Sequence, residues 1–142
     1  MSARSKARKR ALDVLYASEL RGESATEALD RSIEEGEGPT NEYTADLVRG
    51  VVDHQPRIDE VLASYSEGWA LDRMPAVDRN VLRLGIYELL YVDDVPDPVA
   101  VSEAMALVRD LSTDSSPQFV NGVLGAVLRN KVREQATARD ER

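Results

Sequence analysis

The sequence predicts an all-α protein. Every apolar run in its 142 residues repeats at helical spacing, and none alternates with the period of a strand. Capping residues, prolines and glycines punctuate the chain at helix length. The stretch Met74–Tyr91 is apolar on nearly every side once past Pro75, as in a helix enclosed by others rather than laid on a surface. These observations predict about seven helices in two small helical bundles that share this central buried helix.

The first helix is expected over residues 4–21. Ala7, Ala11, Val14, Leu15 and Ser18 fall on one face, and Gly22 is a fitting stop. Ser24-Ala-Thr-Glu27 matches a capping box and starts a second helix, with Ala25, Ala28, Leu29 and Ile33 at helical spacing. Gly36–Asn41 has the composition of a loop. A third helix carries Tyr43, Leu47, Val48, Val51 and Val52 and is expected to stop before Pro56. Ile58, Val61, Leu62 and Tyr65 define a fourth over residues 56–66, ended by Gly68. Trp69 and Leu71 lie in the next connection, where a Trp either fills a gap between elements or offers a platform to a ligand.

Pro75 suits the first position of the central helix, because its missing N–H would have no intrahelical partner there. Asp78, Arg79 and Asn80 in the first turn are expected to reach the surface. Asp97 and Pro98 cap and start a sixth helix with Val101, Ala104, Met105, Val108 and Leu111 inward. Thr113–Pro117 is a second cap-and-proline signal, and Phe119, Val120, Val123, Leu124, Val127 and Leu128 make the last helix. Gly122 and Gly125 within it are read as points of close backbone approach. The expected organisation is one domain over residues 1–132, with subdomains of about 1–67 and 68–132, followed by a frayed charged tail at 133–142.

Composition narrows the chemistry. With 42% hydrophobic residues but only seven aromatics, the core must be aliphatic. The absence of cysteine excludes disulfides, Cys-ligated zinc and thiol catalysis. No window approaches the roughly 20 apolar residues of a membrane span, and the basic N-terminus lacks the apolar run of a secretory signal. A cytoplasmic location is expected. The single histidine, His54, has no ligand-type neighbour at metal spacing and reads as a surface residue at a helix end. Phosphate-cradling glycine loops are missing, and the acidic pairs Glu34-Glu35 and Asp93-Asp94 sit where solvent or caps explain them. Neither an enzyme nor a cofactor is expected.

Charge is distributed unevenly. The net charge is −8, yet residues 1–10 hold Arg4, Lys6, Arg8, Lys9 and Arg10 and no acid. A basic patch on an acidic body is the footprint of local phosphate contact. Cations at a helix N-terminus also oppose the macrodipole, a cost that suggests an external use. Phe119, the only phenylalanine, is either a staple into the core or a face on which an unpaired base stacks. Asn121 beside it can read a base edge or pin a carbonyl. Arg79 and Arg83, four residues apart, either add charge to one side of the central helix or make structural hydrogen bonds.

Two of these stretches resemble the best-marked motifs of the NusB transcription antitermination family: Asp78-Arg-Asn-Val-Leu-Arg-Leu-Gly-Ile-Tyr-Glu-Leu89 and Phe119-Val-Asn-Gly-Val-Leu124. Ala11-Leu-Asp-Val-Leu-Tyr16 and Val95-Pro followed by Val101-Ser-Glu-Ala104 are similar to that family as well. The resemblance implies a non-enzymatic helical protein. With NusE, a ribosomal small-subunit protein, it would bind single-stranded boxA RNA in ribosomal RNA leaders and help RNA polymerase read through terminators. It places RNA contact on Arg4, Lys6, Arg8, Arg10, Phe119, Asn121 and Arg83. It places Tyr16, Asp78 and Arg79 toward NusE. Ser115 and Ser116 depart from the family pattern, which has an acidic residue just before the FVNG motif. The sequence leaves the oligomeric state open, a homodimer that hides the RNA face included, and a helical protein–protein adaptor without RNA binding is the rival reading.

Overall fold

The structure, a computed structural model, describes residues 2–140. Among the described residues there are seven α-helices and no strand: α1 (Ala3–Arg21), α2 (Ala25–Glu34), α3 (Glu42–Tyr65), α4 (Ala76–Tyr91), α5 (Asp97–Leu111), α6 (Ser116–Arg129) and α7 (Lys131–Asp140). One 3₁₀ turn, Leu71–Arg73, precedes α4. No helix is long and apolar enough to cross a membrane. The chain divides into two compact units, Met1–His54 and Gln55–Arg142.

The count of seven agrees with the sequence, but the partition does not. Residues 42–65 form one helix with Pro56 inside it, where two were expected. Pro56 removes one i→i−4 hydrogen bond. Leu47, Val48, Val51, Ile58, Val61 and Leu62 are all at most 1% exposed. That stripe keeps helical spacing across the proline, so burial on both sides outweighs the missing bond. The division between units therefore falls within α3 and not at residues 67–68. His54 lies in mid-helix and is half-buried, not at a helix end.

In the first unit α1 is capped by Ser2, whose hydroxyl accepts the Ser5 N–H at 3.0 Å. It stops at Gly22, which takes φ +68° while its N–H bonds back to Glu19 and the Glu23 N–H to Ser18. A left-handed residue here satisfies carbonyls that the helix end would leave open. Ser24 caps α2 by accepting the Glu27 N–H, as expected of the capping box. The Thr44 hydroxyl donates to the Ala7 carbonyl at 3.1 Å, and Arg49 donates to Asp30 at 2.7 Å, so the start of α3 is tied to both α1 and α2.

In the second unit α4 is the centre, packed against α5, α6 and α7. Val81, Leu82, Ile86, Leu89 and Leu90 are at most 2% exposed. Burying a side chain of this kind contributes about 1.5–3 kcal/mol. The close approach expected at Gly122 and Gly125 occurs instead at Gly85, where a Cβ would meet the Leu124 methyls at 3.1 and 3.2 Å. A Cβ at Gly122 would meet nothing within 4 Å, and one at Gly125 only the Arg129 guanidinium. Asp97 is the first residue of α5 and makes no cap; its carboxylate instead accepts from Lys131 at 2.5 Å.

The expected frayed tail is helical through Asp140. Glu134 is buried and accepts from Arg57 at 2.5 Å and from the Tyr65 hydroxyl at 2.8 Å. Gln135 reaches the Leu90 carbonyl at 3.4 Å. Polar contacts hold α7 where the sequence offers no apolar stripe. Residues 141–142 of the expected tail lie outside the described residues.

Candidate nucleic-acid interface

The basic segment is an ordered part of α1, and its cations have different fates. Arg4 lies over the Tyr43 ring at 4.2 Å and Arg8 is 5.7 Å from the same centroid. The negative face of the ring attracts both charges and so offsets part of the macrodipole cost. Arg8 is only 3% exposed. Its expected direct contact with RNA is corrected to a packing role, because its guanidinium is drawn inward to Tyr43. Arg4 is half-buried. Lys6 and Arg10 are exposed, one turn apart on the same face. They line a groove of about 400 Å³ whose other wall is Pro39, Thr40 and Asn41. Asn41 fixes that wall: its amide donates to the Ala3 carbonyl at 3.3 Å and its Oδ1 accepts the Tyr43 N–H at 2.9 Å. Lys9 pairs with Asp13 at 3.0 Å, which leaves Lys6 and Arg10 as the cations that face the groove.

The polar residues of α4 turn inward. Asp78 is fully buried and its Oδ1 accepts from the Ser112 hydroxyl. This corrects the expectation of a surface carboxylate facing a partner. Ser112, Thr113 and Ser116 form a hydroxyl network around it, with Thr113–Ser116 at 2.6 Å and Ser112–Ser116 at 3.1 Å. Of the two serines just before Pro117, Ser116 thus faces the interior and Ser115 the solvent. Asn80 is buried and donates to the Ala76 carbonyl.

Arg79 donates to the carbonyls of Leu71 at 2.7 Å and Met74 at 3.0 Å, pinning the 3₁₀ turn to the start of α4. Burial, and then the neighbouring Arg83 charge, hold its guanidinium below the ordinary arginine pKa. Arg83 grips Asp59 with two bonds, Nε–Oδ1 at 2.8 Å and Nη2–Oδ2 at 3.1 Å, and is 11% exposed. The guanidinium fork is occupied by protein, the structural hydrogen-bonding role that the sequence offered beside RNA contact. Tyr16 is half-buried on α1.

Phe119 is half-buried in the first turn of α6, edge-on to Trp69 with centroids 4.7 Å apart and planes at 72°. The Trp fills a gap, as its place in a connection implies, and it does so against Phe119. The other side of Phe119 lines a shallow groove of about 390 Å³ with Tyr65, Gln118, Gly122 and Arg129. Asn121 is exposed beside it. Arg129 and Tyr65 were missed by sequence reasoning. Arg129 sits at a helix end, where a cation is ordinary, and Tyr65 is placed by a bond to a residue 69 positions away.

The model of the NusB family matches residues 5–129. The transcription antitermination protein NusB of a Nocardioides species is 81% identical over 131 residues, covering 92% of this chain and 97% of that protein. The structure of T. maritima NusB superposes with a TM-score of 0.82 at 31% identity, covering 96% of this chain and 98% of the other. A crystal structure of antitermination factors NusB and NusE in complex with double-stranded RNA gives a TM-score of 0.77 at 32% identity, covering 89% and 96%.

Proposed function

The chain belongs to the NusB family, and from that membership and the groove on α1 we propose that it is a transcription antitermination factor. In this reading it binds boxA RNA of ribosomal RNA leaders together with NusE and acts on the RNA polymerase elongation complex, promoting read-through of ribosomal RNA operons. The observation that carries the RNA reading is the pair Lys6 and Arg10, exposed on one face of an ordered helix and facing a groove whose far wall is Pro39, Thr40 and Asn41. Phosphate contact of this kind positions a strand, while the half-exposed Phe119 ring and Asn121 offer stacking and base-edge contact on the second unit. The rest of the chain is acidic, which disfavours RNA elsewhere and favours a basic ribosomal protein as partner.

The function is binding, with no chemical step, in the cytoplasm where nascent RNA is made. Tyr16 offers NusE a half-exposed ring on α1. Asp78 and Arg79 act on that partner indirectly, by fixing the first turn of α4 through Ser112 and the Leu71 carbonyl. The test is fluorescence anisotropy with a boxA-type single-stranded RNA oligonucleotide, with and without purified NusE. Binding that tightens when NusE is added is expected. Absence of RNA binding in both arms, with NusE still bound, would leave a protein–protein adaptor in its place.

A further inference from the structure

The groove beside Phe119 is lined as far as Arg129, the last residue of the family's matched region, and α7, which lies beyond that region, contacts its Tyr65 wall. Arg129 closes one end of the groove and is exposed. The Tyr65 wall is held from behind by α7: Tyr65 donates to Glu134 at 2.8 Å, and Arg133 donates to the Tyr65 oxygen at 2.7 Å. The Arg133 side chain is 70% exposed despite that bond. Glu134 pairs both with the buried Arg57 at 2.5 Å and with Arg133 at 3.3 Å, and Arg57 also holds Glu60 at 2.8 Å; Arg129 and Arg133 are the guanidiniums that reach solvent here. Among the described residues, Glu67 is the only acid that lines the groove.

We propose that Arg129 and Arg133 form a phosphate-binding corner for single-stranded RNA, adding to the Phe119 groove a cationic wall supplied by α7. The inference rests on the RNA-binding reading above and extends it to a residue outside the family match. Three features support it. The Arg129 guanidinium lies close to Gly125, one turn back along α6. That places it about 9 Å from Phe119 along the helix axis, a nucleotide-scale distance. Gly122 lies between them, and its missing side chain leaves the floor open, with nothing within 4 Å of a Cβ there. An aromatic edge, an open floor and two exposed guanidiniums suit a nucleotide better than an apolar peptide, and charge complementarity commits the corner to a polyanion.

The test uses the full chain and a boxA-type single-stranded RNA oligonucleotide over a range of salt, with NusE present in both arms. The double variant Arg129→Gln/Arg133→Gln is expected to weaken binding several-fold and to reduce the salt slope by about 0.7 for each phosphate no longer neutralised. Gly122→Leu fills the floor while replacing glycine with a better helix former. It is expected to weaken RNA binding while raising the melting temperature, a pairing of signs that a purely structural role does not produce. Unchanged affinity and salt slope in the double variant, while Lys6→Glu/Arg10→Glu abolishes binding, would overturn the corner and leave the RNA-binding reading intact. Failure of the unaltered protein to bind the oligonucleotide would overturn both.

Discussion

Arg83 and Asp59 are joined by two hydrogen bonds between α4 and the second half of α3, Nε–Oδ1 at 2.8 Å and Nη2–Oδ2 at 3.1 Å. The arginine is nearly buried and the carboxylate about a quarter exposed. Removing one partner leaves the other charge with too little solvent. Arg83→Ala is expected to lower stability by about 2–3 kcal/mol, and Asp59→Ala by a similar amount. The double variant should cost less than the sum. Urea unfolding measures all three. At matched folded fraction, Arg83→Ala should leave RNA affinity within twofold; a larger drop with unchanged stability would return Arg83 to the interface.

The cations of α1 should separate by experiment as they do in space. Lys6→Glu and Arg10→Glu are expected to leave the melting temperature nearly unchanged, since both side chains are exposed. Each should reduce the salt dependence of RNA binding by about 0.7 in log–log slope. Arg8→Glu should do the opposite. It places a carboxylate against the negative face of Tyr43 in a buried position. The expected outcome is a fall in stability of at least about 2 kcal/mol, read by thermal unfolding before any RNA is added.

Two helical glycines should respond with opposite signs to the same change. Gly122→Ala meets open space and replaces a poor helix former, so it should stabilise by about 0.5–1 kcal/mol. Gly85→Ala pushes a methyl to within 3.1–3.2 Å of Leu124, itself fully buried. It should destabilise by about 1–3 kcal/mol. Chemical denaturation of the two variants side by side checks the contrast.

The α7 attachment makes a prediction at alkaline pH. Burial, and then the hydrogen bond to Glu134, raise the Tyr65 pKa above its ordinary value near 10, against the lowering effect of Arg133. A folded-state pKa above the unfolded one means that the folded protein holds this proton more tightly. The associated stability is fully present below pH 10 and disappears as pH rises through the folded-state pKa. Tyr65→Phe should flatten that alkaline decline. At neutral pH it should cost about 1 kcal/mol for the bonds it deletes. Stability of both proteins measured from about pH 8 to pH 11, a window spanning the ordinary tyrosine pKa, gives the answer, and an identical alkaline slope would refute the assignment.

Glu134→Ala goes further at the same place. It leaves Arg57, 8% exposed, without its buried carboxylate. A destabilisation of about 3 kcal/mol or more is expected, along with faster amide exchange throughout α7, since little apolar packing would remain to hold that helix.

The sequence by itself determined the helical class, the stop at Gly22, the cap at Ser24 and the burial of α4, because each depends on residues within one or two turns of one another. It also marked the basic start of α1. Its periodicity misplaced what depends on distant partners. Pro56 read as a helix boundary, and only the buried stripe on both sides of it shows why α3 runs through. The last residues read as a frayed tail, because Glu134 finds Arg57 across 77 positions. Arg8 and Asp78 read as surface charges, and Arg83 as either a surface charge or a structural hydrogen-bond donor, until Tyr43, Ser112 and Asp59 were seen to face them. Period and composition report how a segment folds. Whether a charge on it meets solvent or a partner is decided by what packs against it, and in this protein that difference separates Lys6 and Arg10 from the other cations expected at the interface.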